Sequence, residues 1–160
     1  MTGDDPHVLR PGLAPTPFTA EEIRRGSVPG RTLRVLVEPV GGEPTLRVNR
    51  YVECTQEGAT LQRWQAALDG TPYGEPEVDE VTWLELQAHA AFPAEHTTID
   101  PERITTPLGD LDCLRYTVLR DDTEVVFWFA VDRPGMPVRM VTRQSGEVVS
   151  TVSLIEITET

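Results

Sequence analysis

The chain has 160 residues, of which 39% are hydrophobic and 25% charged, so it fits one soluble globular domain that folds without a disulfide or metal. Its formal net charge is -12, and all 14 basic residues are arginine. This charge disfavours binding to nucleic acid or to an anionic membrane, and the lack of lysine excludes a Schiff-base lysine and a phosphate-binding P-loop.

The N-terminal residues are rich in proline and poor in large apolar side chains. We therefore expect residues 1–18 to form a flexible arm and residues 19–160 to form a single β-rich domain. The arm has neither the basic region nor the apolar region of a signal peptide, and no apolar run reaches the length of a membrane helix. These features predict a cytoplasmic protein without membrane insertion, in which Cys54 and Cys113 stay reduced.

Two capping boxes predict two short helices. Thr19 and Glu22 begin the first helix, and Thr82 and Glu85 begin the second, because each pair can satisfy the free amides of a first helical turn. Pro93 limits the second helix at its far end. We expect the buried stripe of this helix to be Leu84, Ala88 and Ala91.

Seven runs of alternating hydrophobicity predict strands. The links between consecutive strands are short, so neighbours should be antiparallel, and the Pro- and Gly-rich residues 69–79 should form a loop. The sequence thus predicts a mainly β (α+β) fold, a curved antiparallel sheet of about seven strands (half-barrel) with two short helices in the order α-βββ-α-ββββ. The predicted strands are 31–40, 45–55, 59–68, 113–120, 123–131, 136–143 and 147–157.

The tight turns between the last four strands fix their register, and they place several arginines on one face. In that register Tyr116 lies opposite Phe127 on the core face, while Arg115, Trp128 and Arg139 share the other face. Arg143 lies on the arginine face as well. The face is either a solvated surface on which arginines stack over tryptophan and pair with acids, or a shallow site for a carboxylate or phosphate.

Arg50 raises a separate question, because it falls between Val48 and Val52 on the apolar positions of its strand. A guanidinium there needs a carboxylate or a ligand, unless a β-bulge turns it outward. Tyr116 is a further candidate, on the core face of the last four strands. The resulting candidate ligand-binding residues are Arg115, Trp128, Arg139, Arg143, Arg50 and Tyr116.

No motif assigns a catalytic residue, a metal ligand or a cofactor. Glu85, His89 and His96 are too loosely spaced for a metal site, because His96 follows Pro93 in a loop of unknown direction. Cys54 and Cys113 lie in mid-strand, where buried thiols are usually inert. We therefore assign no catalytic residue, no metal and no cofactor.

The segment FWFAVDRPGMPVRM (residues 127–140) resembles the strand pairs of half-barrel β proteins, among them bacterial lipoprotein carriers. With TPFTAEEIRRG and LGDLDCLRY, the whole chain also looks like small β proteins of high-GC actinobacteria. The resemblance implies a curved sheet with an apolar concave side.

These features favour a non-enzymatic binding protein. Its ligand would be a small amphipathic or anionic molecule in the sheet concavity, or else a protein partner. The alternative is a small enzyme that acts on an anionic substrate with Arg115, Arg139 and a carboxylate or His89. A water-filled pocket with convergent polar groups would favour the enzyme, and an apolar cavity would favour ligand carriage.

Overall fold

The computed structural model describes residues 5–159, which form one open antiparallel sheet of nine strands with two α-helices. The mainly β class is confirmed, although the sheet has two more strands than expected. The order across the sheet is β4-β3-β2-β1-β9-β8-β7-β6-β5. The elements are α1 (Ala20–Gly26), β1 (Arg31–Pro39), β2 (Thr45–Cys54), β3 (Gly58–Ala66), β4 (Pro72–Thr82), α2 (Trp83–Ala88), a 3-10 helix (Ala94–His96), β5 (Thr97–Thr106), β6 (Gly109–Arg120), β7 (Thr123–Ala130), β8 (Arg139–Gln144) and β9 (Glu147–Glu159).

The two strands that the sequence did not predict, β4 and β5, are the two edges of the sheet. The expected loop over residues 69–79 is wrong, because most of it belongs to β4. This strand carries Pro72 and Pro76, and β5 carries Pro101. Proline lacks an amide donor, and an edge strand tolerates it because one side of its backbone has no partner strand. Both edges are also rich in charge, which discourages pairing with other chains.

Both predicted capping boxes are present. The Thr19 and Thr82 side chains accept hydrogen bonds from the amides of Glu22 and Glu85, whose carboxylates accept from the two threonine amides in return. The expected buried stripe of α2 is wrong, because Leu84 is 56% exposed. Ala88 is exposed too. The buried side of this segment consists of Trp83 and Gln87, with Leu86 and Ala90 partly buried.

The register predicted for the last strands is confirmed. Tyr116 pairs with Phe127, which pairs with Met140, and Arg115 pairs with Trp128, which pairs with Arg139. We call the side of the sheet that carries Tyr116, Phe127 and Met140 the inner face. It packs against the helices through a buried core that includes Phe18, Ile23, Leu33, Val35, Tyr51, Leu61, Trp83, Phe92, Tyr116 and Phe129. The opposite side, which carries the arginines, is the outer face.

The register between β1 and β2 differs by one residue from that of a two-residue turn at Gly41-Gly42. Leu33 pairs with Asn49 rather than with Arg50, so β2 turns its odd-numbered residues to the inner face. Leu46 and Val48 consequently belong to the outer face. A one-residue change of register exchanges the two faces of a strand, and here it brings polar side chains inward.

Residues 5–18 lie along the helices and hold them to the sheet. The buried Gln87 side chain donates to the Pro6 carbonyl and to Thr16 Oγ1, at 2.8 and 3.0 Å, and accepts from the Ala20 amide. The Tyr116 hydroxyl donates to the Pro15 carbonyl at 2.7 Å. The division into a flexible arm and a domain stays a prediction, and its residues 1–4 lie outside the described residues. No helix within residues 5–159 is long and apolar enough to span a bilayer.

Candidate functional site

The outer face carries a cluster of charged and aromatic side chains around Trp128. Arg115 contacts Asp100 at 3.4 Å and Glu102 at 3.2 Å, and the Trp128 indole N–H donates to Glu102 at 2.6 Å. The Arg139 guanidinium carbon lies 5.9 Å from the centre of the Trp128 ring. We call these five residues the outer cluster. Its acids come from β5, so the sequence prediction, which lacked that strand, could not pair them with the arginines.

The electrostatics of the outer cluster centre on Glu102. The hydrogen bond from the Trp128 indole lowers the pKa of Glu102 below its ordinary value, and Arg115 and Arg139 lower it further. Arg139 also donates to the Thr105 carbonyl at 3.1 Å. The Trp128 indole and both arginines of this cluster therefore each contact at least one group of the chain itself.

The remaining sequence-predicted candidates do not converge with the outer cluster. Arg143 donates to Glu124 at 3.0 Å, four residues along β8 from Arg139. Arg50 is exposed, because the β1–β2 register turns the even-numbered residues of β2 to the outer face. It pairs with Gln62 on β3, before the bulge between Tyr51 and Glu53. The binding role of these side chains stays a prediction.

Tyr116 lies apart from the arginines, on the inner face. Only 1% of this residue is exposed, and its hydroxyl is bound to the Pro15 carbonyl. Burial raises the pKa of Tyr116 to about 12. The hydroxyl is thus a neutral donor already in use.

A cavity of about 320 Å³ lies between the inner face and the second helix. Its lining is largely apolar, and it comes from strands on both halves of the sheet and from the α2 segment. Such a size and lining are typical of sites for small ligands. Apolar residues along its wall include Leu33, Leu61, Leu86, Phe127, Met136 and Met140.

One end of the cavity is polar, and we call its residues Arg47, Asn49 and Arg63 the inner polar cluster. Asn49 and Arg63 are directly opposed on β2 and β3, and Arg47 lies two residues from Asn49 on the same face. Asn49 Oδ1 and Arg63 Nε are buried without a hydrogen-bond partner. Buried polar groups without partners are rare in native proteins, so such atoms mark a place where a ligand or water completes the structure.

The inner polar cluster was missed by sequence reasoning because the sequence pattern assigns Val48 and Val52 to the apolar side of β2, whereas in the structure Val48 lies on the outer face. The missed signal was the run Leu33, Val35 and Val37, which fixes the inner face of β1. Counting across a longer loop than Gly41-Gly42 would have placed Arg47 and Asn49 opposite these residues.

A second, more open groove of about 730 Å³ adjoins the cavity near the β6–β7 turn. Phe92 and Phe127 line both spaces, and their rings stack with centroids 4.8 Å apart. Val118 and Val125 extend the apolar wall of the groove towards the turn. The two rings therefore form a wall that the cavity and the groove share.

The side chains required by the enzyme alternative are not assembled. His89 lines the cavity of the inner face, whereas Arg115 and Arg139 belong to the outer face. Cys54 and Cys113 are unpaired, and burial raises the pKa of both thiols. Within residues 5–159, no three His, Cys, Asp or Glu side chains gather as a metal site.

No protein-family model and no functionally described protein matches the sequence. Two solved structures share the fold. One is a protein from Bacteroides fragilis with a YmcC-like fold, which is described as exported. Its sequence is 10% identical and the TM-score is 0.53. The match covers 83% of this chain and 97% of the Bacteroides protein. MucB, crystallised in complex with MucA(peri), is 12% identical at a TM-score of 0.57. The match covers 84% of this chain but only 51% of MucB.

These comparisons correct two expectations drawn from the sequence. The expected cytoplasmic location is contradicted, because the Bacteroides neighbour with the same fold is described as an exported protein. The resemblance to a half-barrel β protein holds at the level of a β-rich fold shared with the two neighbours, whereas no comparison supports a lipoprotein-carrier family or an actinobacterial origin. The chain thus has the β-rich fold of these two proteins.

Proposed function

We propose that this protein is a non-enzymatic binding protein that takes up a small amphipathic molecule in the cavity of its inner face. The observation that carries the proposal is the cavity itself, an apolar space of about 320 Å³ that the protein leaves open beneath its second helix. Protein cores are normally packed closely, so an open apolar space of this size favours a ligand over a structural role.

The lining of the cavity also supports the expected half-barrel shape. Leu61 of β3 and Phe127 of β7 both line it, although these strands are five positions apart in the sheet. Neighbouring strands lie about 4.8 Å apart, so the two residues would be separated by roughly 24 Å across a flat sheet. One small cavity reaches both far more readily if the sheet curves around it.

The proposal is tested with N-phenyl-1-naphthylamine, an uncharged fluorophore that brightens in apolar surroundings. We expect saturable binding of one molecule per chain. Ala90 lines the cavity and Ala88 is exposed two residues earlier, which gives a matched pair of substitutions. Ala90→Phe fills the cavity and should weaken fluorophore binding by roughly tenfold or more, which corresponds to about 1.4 kcal/mol.

Ala88→Phe is the control, because it adds the same ring to the solvent side of the segment. It should leave fluorophore binding and the melting temperature nearly unchanged. The absence of saturable binding, or equal effects of the two substitutions, would rule out the cavity as a ligand site.

A protein partner is the second candidate, and the neighbour MucB favours it because MucB was crystallised with another protein. The edge strand β4 is also available for contact, since its residues Pro72–Glu80 are all exposed.

Native mass spectrometry of protein purified from its natural source separates the two candidates. A bound mass of a few hundred daltons would support the ligand, and a mass of the size of a polypeptide would support the partner. An unliganded monomer that binds no fluorophore would contradict both.

A further inference from the structure

We propose that the ligand of the cavity carries an anionic head, specifically the carboxylate of a single-chain amphiphile, and that the inner polar cluster binds this head. The inference rests on the proposed function and adds the chemical class of the ligand. Three features of the cavity support it: the residue types at the polar end, the buried polar atoms there that lack a hydrogen-bond partner, and the volume of the cavity.

The polar lining consists of basic or neutral groups, and of its two unpartnered buried atoms Arg63 Nε is a donor and Asn49 Oδ1 an acceptor. Arg47, Asn49, Tyr51, Arg63 and His89 are its polar residues, and no Asp or Glu within residues 5–159 belongs to it. The chain as a whole has a formal net charge of -12. A cavity that is lined by arginines and by no acids has a positive local potential, although the chain as a whole is negative. It therefore favours an anionic head over a cationic one.

The two arginines differ in how fully they are already paired. Arg63 contacts Asp79 at 2.8 Å through one terminal nitrogen, and its Nε remains buried without a partner. Arg47 is exposed and has no carboxylate within 4.0 Å among the described residues. A carboxylate between them would accept hydrogen bonds from planar guanidinium groups, the geometry for which arginine is best suited.

Acids line the space next to the polar end. Glu75 and Glu77 line a shallower space that shares Arg47, Asn49 and Arg63 with the cavity. A carboxylate head would therefore sit on the cavity side of the arginines, since these acids repel it on the other side. Because the same acids would attract a positive charge, a cationic head group is the main alternative to the carboxylate.

The volume sets the length of the chain that follows the head. About 320 Å³ holds roughly ten non-hydrogen atoms if each takes about the 30 Å³ of a liquid water molecule. The ten-carbon chain of decanoate is of this size, and its two carboxylate oxygens would lie at the polar end. Longer chains would continue past Phe92 and Phe127 into the adjoining groove.

The experiment compares three molecules with the same ten-carbon chain, namely decanoate, 1-decanol and decyltrimethylammonium, as competitors of bound N-phenyl-1-naphthylamine. We expect decanoate to compete most strongly at pH 7. Arg47→Gln and Arg63→Gln should each reduce decanoate affinity by roughly tenfold or more and leave 1-decanol unaffected, because a hydrogen bond to a charged group is lost. Arg47→Gln is the substitution that breaks no ion pair of the chain.

Arg34→Gln is the matched control, because Arg34 pairs with Glu156 at 3.2 Å and its strand position opposes Val48 on the outer face. It should leave the affinities of all three competitors unchanged. If the fluorophore binds but decanoate has no advantage, or Arg34→Gln acts like Arg47→Gln, the anionic head is wrong and the cavity remains a ligand site. If neither the fluorophore nor any competitor binds, the proposed function fails, and the head-group assignment fails with it.

Discussion

The two faces of the sheet each carry a cluster of arginines, and the clusters differ in what surrounds them. On the outer face, Arg115 and Arg139 are held by carboxylates, a carbonyl and an aromatic ring. On the inner face, Arg47 has no carboxylate partner within residues 5–159, and Arg63 keeps a buried Nε without one. The inner cluster keeps two buried polar atoms without a partner, whereas the outer cluster has none among the described residues.

This comparison shows that the number of arginines on a face is a poor guide to binding. The outer cluster has more aromatic and charged groups, but within residues 5–159 none of their polar atoms is buried without a partner. Surface ion pairs of this kind usually contribute little to stability and leave little free charge for a ligand. The binding potential depends on unmet hydrogen-bonding capacity, which only the three-dimensional neighbours of each side chain reveal.

The largest expected difference between the clusters is in stability. Glu102→Ala removes the acceptor of the Trp128 indole and one partner of Arg115, so it should lower the free energy of unfolding by about 1–3 kcal/mol. Asn49→Ala removes a buried oxygen that has no partner. It should therefore lower the free energy of unfolding by less than about 0.5 kcal/mol, or should raise it. Urea unfolding of the two variants measures both values, and a larger loss for Asn49→Ala would reverse the comparison.

A smaller effect is expected for Arg139→Ala. Arg139 stacks over Trp128, and an exposed cation–π contact contributes about 0.5–1 kcal/mol, so the melting temperature should fall slightly. Decanoate binding should stay unchanged, because the residue lies on the outer face. If the outer face instead binds an anion, Arg139→Ala would weaken binding of that anion while the melting temperature stayed nearly constant.

The smallest expected effect is a dependence of stability on pH. The pKa of Glu102 is lower in the folded protein than its ordinary value, mainly because of the Trp128 hydrogen bond. The stabilisation is therefore complete above the unfolded pKa of about 4.3 and is lost as the pH falls through the folded pKa. Unfolding of the native chain and of Glu102→Gln from pH 7 to pH 3 should converge at the acidic end. Parallel curves would show that Glu102 is not linked to folding.

The sequence predicted those parts of the fold that depend on short-range signals. Capping boxes located both helices, and tight turns set the register from β6 to β8. The edge strands β4 and β5 were missed because proline and charge at a sheet edge look like a loop in one dimension.

The parts of the candidate sites that depend on short-range signals were likewise predicted, and the parts that depend on distant strands were not. The arginine row of the outer face was predicted from turn parity, but its acidic partners Asp100 and Glu102 lie on the missed strand β5. The inner polar cluster depended on a one-residue difference in the β1–β2 register. No local pattern distinguishes that register from the tighter turn at Gly41-Gly42.

The most direct test of the account is nuclear magnetic resonance of the chain with labelled methionine methyl groups. Met136 and Met140 both line the cavity. Titration with decanoate should shift both resonances saturably, at the affinity found by fluorophore competition, and should give nuclear Overhauser effects to the methylene groups of the ligand. Assignment by Met136→Leu and Met140→Leu identifies the two signals. Saturable decanoate binding that moves neither resonance would place the ligand elsewhere and contradict the account.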